Sequence, residues 1–381
     1  MVTPNSDSVP QTIKEALSGP DADKWRTAIK SEMRSLLQNH TWDLVKRPGG
    51  KEIVPSRWIF KVKEDGRYKA RMVARGFTQT FGVDYFETYA PVARFASIRM
   101  ILALAAKFGL SIQQMDVDTA FLYGALEEDI YMEQPDGFID DPELVCKLQK
   151  SLYDLKQAPC VWYQVMDGFF KSLGLERSRA DPAVYIEQDP LRGQLPLIVA
   201  IYVDDLIIVH KDMAKINKIK EALNAKFNMK DLGEVKNLLG IEVHRLPDGS
   251  VFINQPRYVE KLLKRYGMEN CKPADTPMAL KITPSDDEYD MGIYQSLTGG
   301  LMWPSLCTRP DIAFAVGYLA RWNSKPTRAH HVAQKRVLRY LKGTIGHGIL
   351  FKANTDQKLE GFSDADWAGD IEDRKSISGN C

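Results

Sequence analysis

Two adjacent aspartates, Asp204 and Asp205, stand between two apolar, β-branched runs in the segment LPLIVAIYVDDLIIVHKD. The flanking residues, 197–203 and 206–209, have strand composition, and so short a connection predicts a β-hairpin with both carboxylates at the exposed tip. Two carboxylates in that position are suited to hold hard, oxygen-seeking cations such as Mg²⁺. Aspartate is also a favoured turn residue, so the segment by itself is equally consistent with a hairpin that simply has a polar tip.

A third aspartate, Asp116, interrupts an apolar segment in SIQQMDVDTAFLYGAL, with Ala120 and Phe121 four and five residues further on. An aspartate within a strand needs a partner, because an unpaired buried carboxylate is costly and neutralises through a shifted pKa. A bound cation is one such partner. Strand alternation puts Asp118 on the same face as Asp116.

Together these residues resemble the catalytic core of reverse transcriptases: Asp116 followed by Ala120 and Phe121, then the sequence YVDD at 202–205. Longer segments narrow the resemblance, over nearly the whole chain, to the polymerase of Ty1/copia-type LTR retrotransposons: RMVARGFTQTFGVDYFETYAPVAR, LEEDIYMEQPDGF, SLYDLKQAPCVWY and FNMKDLGEVKNLLGIEV. The resemblance implies an α+β polymerase right-hand fold with fingers, a ferredoxin-like palm that carries the YVDD hairpin, and a thumb. Connection helices and an incomplete ribonuclease H-like segment would follow.

The resemblance implies RNA-directed DNA synthesis, in which dNTPs are transferred onto a primer 3′-hydroxyl by a two-metal mechanism. Asp116, Asp204 and Asp205 would be the catalytic residues and would hold two Mg²⁺ ions, for which Mn²⁺ can substitute. The backbone carbonyl of Val117 would be a further metal ligand. Asp118 ranks below Asp116, because the family's motif puts its catalytic acid before the hydrophobic residue. The partners would be an RNA template, a DNA or RNA primer and dNTPs.

Four further residues are assigned to nucleotide binding. Phe121, beneath the incoming sugar, would exclude a 2′-hydroxyl by a steric clash and so favour deoxynucleotides; the alternative is an ordinary core aromatic. Lys69 and Arg71 are the best candidates to neutralise the triphosphate. Gln157 lies in the part of SLYDLKQAPCVWY that resembles the motif supporting template and nucleotide.

The amino-acid composition is compatible with a reverse transcriptase but would not identify one by itself. The 381 residues have a formal net charge of +1, with 27% charged and 44% hydrophobic residues, as in an ordinary globular protein of more than one domain. Residues 51–75 hold eight basic and three acidic residues, an excess of five positive charges. Such a segment suits phosphates, although a solvated hairpin face would have the same composition.

The cysteine spacing and the N-terminal sequence bear on the cellular compartment in which the protein works. The five cysteines are scattered, which argues against a disulfide framework or a zinc ribbon. We expect no signal peptide and no membrane-spanning segment. The family's reverse transcription takes place in cytoplasmic particles, and the resemblance implies the same location here.

Four divisions of the chain are predicted: a tail and leading helix (1–40), fingers and palm (41–245), thumb and connection (246–345) and a truncated ribonuclease H-like start (346–381). Within them the patterns predict a β-hairpin over 52–77 that turns at 64–66, and a linker over 273–290. Helices are predicted over 11–39, 97–109, 157–173, 213–227, 255–267 and within 291–343.

The segment 327–343 predicts an amphipathic helix with five basic residues. A surface that follows a nucleic-acid duplex and a plain solvated face explain it equally well. No further metal-ligating residues accompany His330 and His331 in this segment, so we expect the two histidines to lie at the surface or to contact phosphates.

Three residues depart from the family's pattern. Asp154 occupies a position usually held by glycine, where a side chain would strain a turn that needs positive φ. Cys160 stands in place of an arginine, which removes a charge near the template path. Pro304 falls in a stretch of helical pattern and is expected to kink or end that helix. These departures leave open a second reading, a catalytically inactive relic that at most binds nucleic acid.

The sequence argues against two further activities, ribonuclease H cleavage and RNA-templated RNA synthesis. LEGFSDADWAGDIEDRKSISGN resembles the opening of a ribonuclease H domain, with Asp364 at its first metal-binding aspartate. The remaining acidic ligands would follow Cys381, and one carboxylate cannot build a two-metal site, so we expect no ribonuclease H activity from these residues. An RNA-templated RNA polymerase is disfavoured by Phe121 and by the resemblance over the whole chain.

Overall fold

The computed structural model describes residues 9–63, 65–188, 195–279, 287–353, 355–356, 360–368, 374–376 and 378–380. It confirms a mixed α+β protein. The N-terminal part forms α1 (Ile13–Ser18), α2 (Ala22–Gln38), β1 (Trp42–Lys46), β2 (Ile53–Val54), β3 (Ser56–Val62) and β4 (Tyr68–Ala74). Within the described part of the chain, no helix combines the length and the apolar composition that a membrane crossing requires.

The predicted leading helix is two helices, because Gly19-Pro20 interrupts it: Gly19 ends α1 and proline has no N–H to continue a helix. The apolar stripe of α2, with Trp25 at its start, packs onto the β3–β4 hairpin. The Trp25 ring lies edge-on to Phe60 at 5.2 Å and to Tyr68 at 4.5 Å. The helix α2 therefore packs against the apolar side of the basic hairpin.

The β3–β4 hairpin is the basic segment of the sequence. Its turn is closed by bonds from the Lys63 N–H to the Arg67 carbonyl and from the Gly66 N–H to the Lys63 carbonyl, with Gly66 at φ +80°. Glu64, at the start of the predicted turn, lies outside the described residues.

A six-stranded antiparallel sheet forms the centre of the protein. The middle of the chain forms α3 (Phe95–Phe108), β5 (Ser111–Val117), β6 (Tyr131–Met132), β7 (Leu144–Leu148), α4 (Ala158–Ser172), β8 (Leu175–Arg177), β9 (Val184–Glu187), β10 (Ile198–Tyr202), β11 (Asp205–His210), α5 (Met213–Lys226) and β12 (Met229–Glu234). The strand order is β12-β5-β11-β10-β9-β8, and a separate four-stranded sheet has the order β1-β7-β6-β2. The central strands β5, β11 and β10 are therefore flanked on both sides.

Both faces of the six-stranded sheet are covered. Alternate residues of β5 and β11, such as Ile112 and Ile207, pack with α3, whereas Met115 and Leu206 pack with α4 and α5. Residues buried on both faces explain why these strands read as continuous apolar runs. The aspartates lie where β5, β10 and β11 reach one end of the sheet.

The C-terminal part follows as β13 (Asn237–Leu238), β14 (Ile241–Arg245), β15 (Val251–Asn254), α6 (Pro256–Arg265), α7 (Met291–Cys307), α8 (Ala313–Ala320), α9 (Arg328–Gly343), β16 (Gly348–Phe351), β17 (Ser363–Ala365) and β18 (Ser378–Asn380). Strands β13 to β16 form a sheet that packs against α3, and α6 to α9 share one apolar core. Residues 280–286 of the predicted linker lie outside the described residues.

Pro304 does not end α7, so this half of the prediction is wrong, whereas a kink at Pro304 stays a prediction. The helix continues to Cys307. Proline cannot donate to the carbonyl of Gly300, four residues earlier, and the Tyr258 hydroxyl of α6 donates to that carbonyl instead, at 2.9 Å. A side chain from a neighbouring helix thus replaces the lost backbone bond.

The prediction that His330 and His331 lie at the surface is wrong, since both are 6% exposed. His330 closes a capping box with Thr327 at the start of α9 and stacks on Trp322 at 4.1 Å. His331 stacks on Tyr289 at 4.1 Å. The two imidazoles thus hold Trp322 and Tyr289, which precede α9 in the chain, against that helix.

Part of the basic surface of α9 is used within the protein. Arg336 donates to the carbonyl and hydroxyl of Thr276, and Arg339 donates to the carbonyls of Lys272 and Pro273. These two cations therefore fasten a neighbouring segment, and a duplex-binding role for α9 stays a prediction for its other basic residues.

Candidate functional site

The turn between β10 and β11 carries the adjacent aspartates. Tyr202 pairs with Asp205, so the two turn residues are Val203 and Asp204, and Asp205 is the first residue of β11. The prediction of Asp204 and Asp205 as an exposed tip is therefore off by one residue, and both side chains are half-buried. Val203 adopts φ +59°, which is uncommon for a β-branched residue.

Strand pairing brings Asp116 to the same place. Asp116, near the end of β5, lies directly opposite Asp205 on one side and Lys230 of β12 on the other. The N–H of Val117 donates to the carbonyl of Asp204 at 3.0 Å. Residues directly opposite in antiparallel strands project from one face. The structure thus brings the three predicted catalytic aspartates together at one end of the sheet.

Burial and mutual repulsion govern the ionisation of these carboxyls. Burial raises the pKa of Asp116, the charges of Asp204 and Asp118 raise it further, and Lys230 opposes them. Burial raises the pKa of Asp205 to about 6, against a hydrogen bond from Gln114 at 3.1 Å and with the added repulsion of Asp204 and Asp116. Excess negative charge in a half-buried position is what a bound cation would relieve.

Sequence reasoning missed Lys230 and Gln114. The Lys230 ammonium is bonded to the carboxylate of Asp118, while the N–H of Asp118 donates to the Asn228 carbonyl at 2.9 Å. Asp118 is therefore already paired with a cation. No pattern near Asp116 points to a lysine more than a hundred residues later, because only the register of β5 with β12 makes them neighbours.

The donor set suits a hard divalent cation, although the carboxylates do not form a closed ligand set. Among the described residues, no group of three or more His, Cys, Asp or Glu side chains is arranged to hold a metal ion. Carboxylate oxygens are nevertheless the ligands that Mg²⁺ prefers. Val117, the predicted carbonyl ligand, is buried beside them at 3% exposure.

We expect Asp205→Asn to stabilise the metal-free protein at about pH 7 by about 1 kcal/mol, the effect of a two-unit shift discounted for partial exposure. A carboxyl whose pKa is raised from 3.8 to about 6 on folding destabilises the fold above the higher value. The gain should shrink as the pH falls to about 4, because the folded-state carboxyl is then protonated and the pH has nearly reached the pKa of the unfolded chain. Urea unfolding in EDTA at the two pH values measures it; an equal effect at both would contradict the shift.

Phe121 belongs to a stack that joins the sheet to the basic hairpin. Its ring is half-buried and lies edge-on to Tyr153 at 4.9 Å, and the Arg71 guanidinium lies 4.4 Å from the centre of the Tyr153 ring. Burial raises the pKa of Tyr153 to about 12, with Arg71 acting against it. Tyr153, which the sequence did not single out, therefore connects two predicted nucleotide residues.

Lys69 interacts electrostatically with Asp116. Burial and the nearby Arg71 lower its pKa, and its charge acts in turn to lower the pKa of Asp116. Glu32 of α2 opposes the shift of Lys69 and accepts a bond from the Met72 N–H at 3.3 Å. The charge of Lys69 on the hairpin thus favours the ionised form of Asp116.

Gln157 is buried at 2% exposure and its amide is used inside the protein. It accepts from the Gln79 amide at 3.1 Å and donates to the Asp84 carbonyl at 2.8 Å. These bonds tie residues 79–84 to the start of α4, and a direct contact of Gln157 with nucleotide stays a prediction.

Asp154 has the positive φ expected of its position, +68°, beside the tightly packed Gly76. We expect Asp154→Gly to raise the free energy of unfolding by about 0.5–1 kcal/mol, because glycine adopts this conformation without strain. The Arg57–Asp154 ion pair, 3.6 Å long and half exposed, contributes little. Asp154→Ala is the matched control: it removes the pair but keeps the strained Cβ. Equal effects of the two variants in urea unfolding would show that strain is not the cause.

Two predicted positions remain, Cys160 and Asp364. Cys160 is buried in the first turns of α4, with its thiol accepting from Gln164 at 3.6 Å, and burial raises its pKa. Asp364 is exposed on β17 and accepts from the Ala365 N–H at 2.9 Å. Asp364 is in no metal-holding group of the described residues.

Comparisons with known proteins agree with the motifs. Residues 39–280 match the family described as reverse transcriptase (RNA-dependent DNA polymerase). Over 98% of its length the chain is 43% identical to the retrovirus-related Pol polyprotein from transposon TNT 1-94 of Nicotiana tabacum, and 41% identical to that from transposon RE1 of Arabidopsis thaliana. It covers 29% and 26% of those polyproteins. A putative transposon Ty5-1 protein of Saccharomyces cerevisiae is 32% identical over 66% of the chain and 82% of its own length.

Proposed function

The chain belongs to the reverse transcriptase family, in the form found in Ty1/copia-type transposon Pol polyproteins, and from this premise we propose that it catalyses RNA-directed DNA synthesis. Asp116 opposite Asp205 in adjacent strands, with Asp204 in the turn beside them, is the observation that carries the proposal. An RNA template, a DNA or RNA primer and dNTPs are the proposed partners.

The chemistry proposed for the aspartates is two-metal nucleotidyl transfer. Asp116, Asp204, Asp205 and the carbonyl of Val117 would hold two Mg²⁺ ions, with Mn²⁺ as a substitute. Bound divalent ions supply a lowered pKa for the primer 3′-hydroxyl and neutralise charge that develops on the leaving pyrophosphate. The raised pKa values of Asp116 and Asp205 support the assignment, because burial and, to a smaller extent, mutual repulsion disfavour the charged carboxylates, and a bound cation would offset both effects. Gln114 and the Lys230–Asp118 pair would hold the carboxylates in place.

The residues around the aspartates support a deoxynucleotide substrate. Lys69 and Arg71 lie on alternate positions of β4, so both project from one face of the hairpin. The charge of Lys69 acts on Asp116, and the two cations would neutralise the triphosphate. Phe121 would exclude the 2′-hydroxyl, and the contact with Tyr153 would fix its ring. Gln157 would support the nucleotide-binding site, since its amide holds residues 79–84 in place, and a direct contact with nucleotide stays part of the proposal.

The family's subdomains are proposed for the elements as follows. The six-stranded sheet with α3, α4 and α5 would be the palm, and the β3–β4 hairpin part of the fingers, within 41–245. Helices α6 to α9 would be thumb and connection, within 246–345. Asp364 would mark the start of a ribonuclease H-like segment. The site of action would be a cytoplasmic particle.

Extension of a labelled DNA primer on a defined RNA template, with dNTPs and Mg²⁺, tests the proposal. The expected result is full-length product that needs all four dNTPs and a divalent ion. Tight binding of the template and primer without any extension would contradict it and favour the inactive relic. Incorporation of ribonucleotides as readily as deoxynucleotides would instead revive the RNA polymerase reading.

A further inference from the structure

A buried tryptophan contacts the catalytic turn from behind. The indole N–H of Trp162, on α4, donates to the main-chain carbonyl of Val203 at 2.7 Å. Trp162 is 2% exposed and packs with Phe227 edge-on at 5.6 Å and with Tyr123 at 6.0 Å. Its ring lies in the apolar core with Met115 and Leu206, on the opposite face of the sheet from Asp116. It therefore does not reach the space where substrate would bind.

The indole holds one of the two peptide groups that flank Asp204. The peptide before Asp204 contains the Val203 carbonyl, which accepts from Trp162, and the peptide after it contains the Asp204 carbonyl, which accepts from the Val117 N–H at 3.0 Å. The orientation of these two peptide planes sets the direction of the Asp204 side chain. Of these two hydrogen bonds, the one from Val117 comes from within the sheet and the one from Trp162 comes from a helix.

The conformation that the indole holds is a strained one. Val203 has φ +59°, a region that glycine adopts freely and a β-branched residue adopts only when its surroundings impose it. A buried indole N–H that loses its acceptor is itself unfavourable. The hydrogen bond therefore satisfies the donor and fixes the strained turn at the same time.

The same aromatic cluster reaches the neighbouring strand. The Tyr123 hydroxyl accepts from the Asn228 N–H at 2.6 Å, and the Asn228 carbonyl accepts from the Asp118 N–H at 2.9 Å. The cluster thus anchors the turn that holds Asp204 and the end of the strand that holds Asp116.

We propose that Trp162 is a positioning residue for Asp204, which keeps Val203 in its left-handed conformation and so directs the Asp204 carboxylate toward Asp116 and Asp205. This inference rests on the proposed polymerase function for its kinetic consequence, and on the hydrogen bonds alone for its structural one. The role belongs to the N–H group, whereas the ring contributes packing.

Trp162→Phe is the test, because it keeps an aromatic ring and removes the donor. The expected result is at least a tenfold fall in kcat with the KM for dNTP and the Kd for template and primer within twofold, and a several-fold rise in the Mg²⁺ concentration that gives half-maximal rate. Independently of activity, hydrogen exchange at the Val117 amide should accelerate at least tenfold, since its acceptor is the Asp204 carbonyl.

Two matched variants separate positioning from packing. Phe227→Leu disturbs the same cluster but removes no hydrogen-bond donor, so it should leave kcat and the Val117 exchange rate within threefold of the parent values. Val203→Gly adopts the turn without strain, so adding it to Trp162→Phe should restore most of the lost kcat and the slow exchange.

Each outcome has a distinct meaning. Equal effects of Trp162→Phe and Phe227→Leu on kcat and on exchange would overturn the inference, as would the absence of rescue by Val203→Gly. A parent protein that extends no primer would count against the proposed function, and the exchange rates would then decide the inference without it.

Discussion

Asp116→Asn is expected to lower the rate of primer extension by a factor on the order of 10³ or more, because it removes one of the three carboxylates that would hold the metal ions. Asp116 lies opposite Asp205 and adjoins the residue that bonds to the Asp204 carbonyl, and the nearby carboxylate of Asp118 is bonded to Lys230. The fold should be retained, since the carboxyl gains nothing from burial: burial and the charge of Asp204 both raise its pKa. Single-turnover extension at saturating dNTP, beside the Kd for template and primer, measures the effect.

Asp118→Asn is the matched control for this variant. Asp118 lies two residues further along the chain, on the same face, but its carboxylate is bonded to Lys230. We expect less than a tenfold loss of rate, through a freed Lys230 ammonium near Asp116. If Asp118→Asn abolished synthesis and Asp116→Asn did not, the assignment of the catalytic acid would be reversed.

Phe121→Val is expected to raise the incorporation of ribonucleotides relative to deoxynucleotides by a factor on the order of 10², since a smaller side chain leaves room for the 2′-hydroxyl. The ring is held edge-on against Tyr153, so it cannot move aside for a larger sugar. Competing kcat/KM values for a matched pair of ribo- and deoxynucleotides measure this ratio. The kcat/KM for the deoxynucleotide should fall less than tenfold.

Tyr153→Phe supplies the control for the selectivity experiment. It keeps the ring that supports Phe121 and that the Arg71 guanidinium covers, so selectivity should change less than threefold. A Phe121→Val variant that loses deoxynucleotide incorporation without gaining ribonucleotide incorporation would show instead that Phe121 is an ordinary core aromatic.

The aspartates could be found from the sequence, whereas their surroundings could not. Asp116 stands out because a carboxylate in an apolar strand needs a partner, and YVDD because it interrupts two apolar runs. Gln114, Lys230 and Tyr153 carry no such local signal. They reach the site through strand register and through the packing of the basic hairpin, which depend on chain segments far apart in sequence.

The sequence predictions that failed did so where a tertiary partner intervened. Pro304 is expected by local rules to kink or end its helix, yet α7 does not end there, because Tyr258 from another helix supplies the missing donor. His330 and His331 appear among basic residues and read as surface positions, but Trp322 and Tyr289 stack on them. Local pattern predicts propensity and alternation; it does not report which side chain a neighbouring element will bring.

Extension of a primer on an RNA template in the presence of dNTPs and Mg²⁺, by the parent protein and by its Asp204→Asn, Asp205→Asn double variant, tests the central claim most directly. The account predicts product from the parent alone, with equal binding of template and primer by both proteins. Equal synthesis by both proteins would contradict it, because the reaction would then not depend on the carboxylates that the sheet brings together.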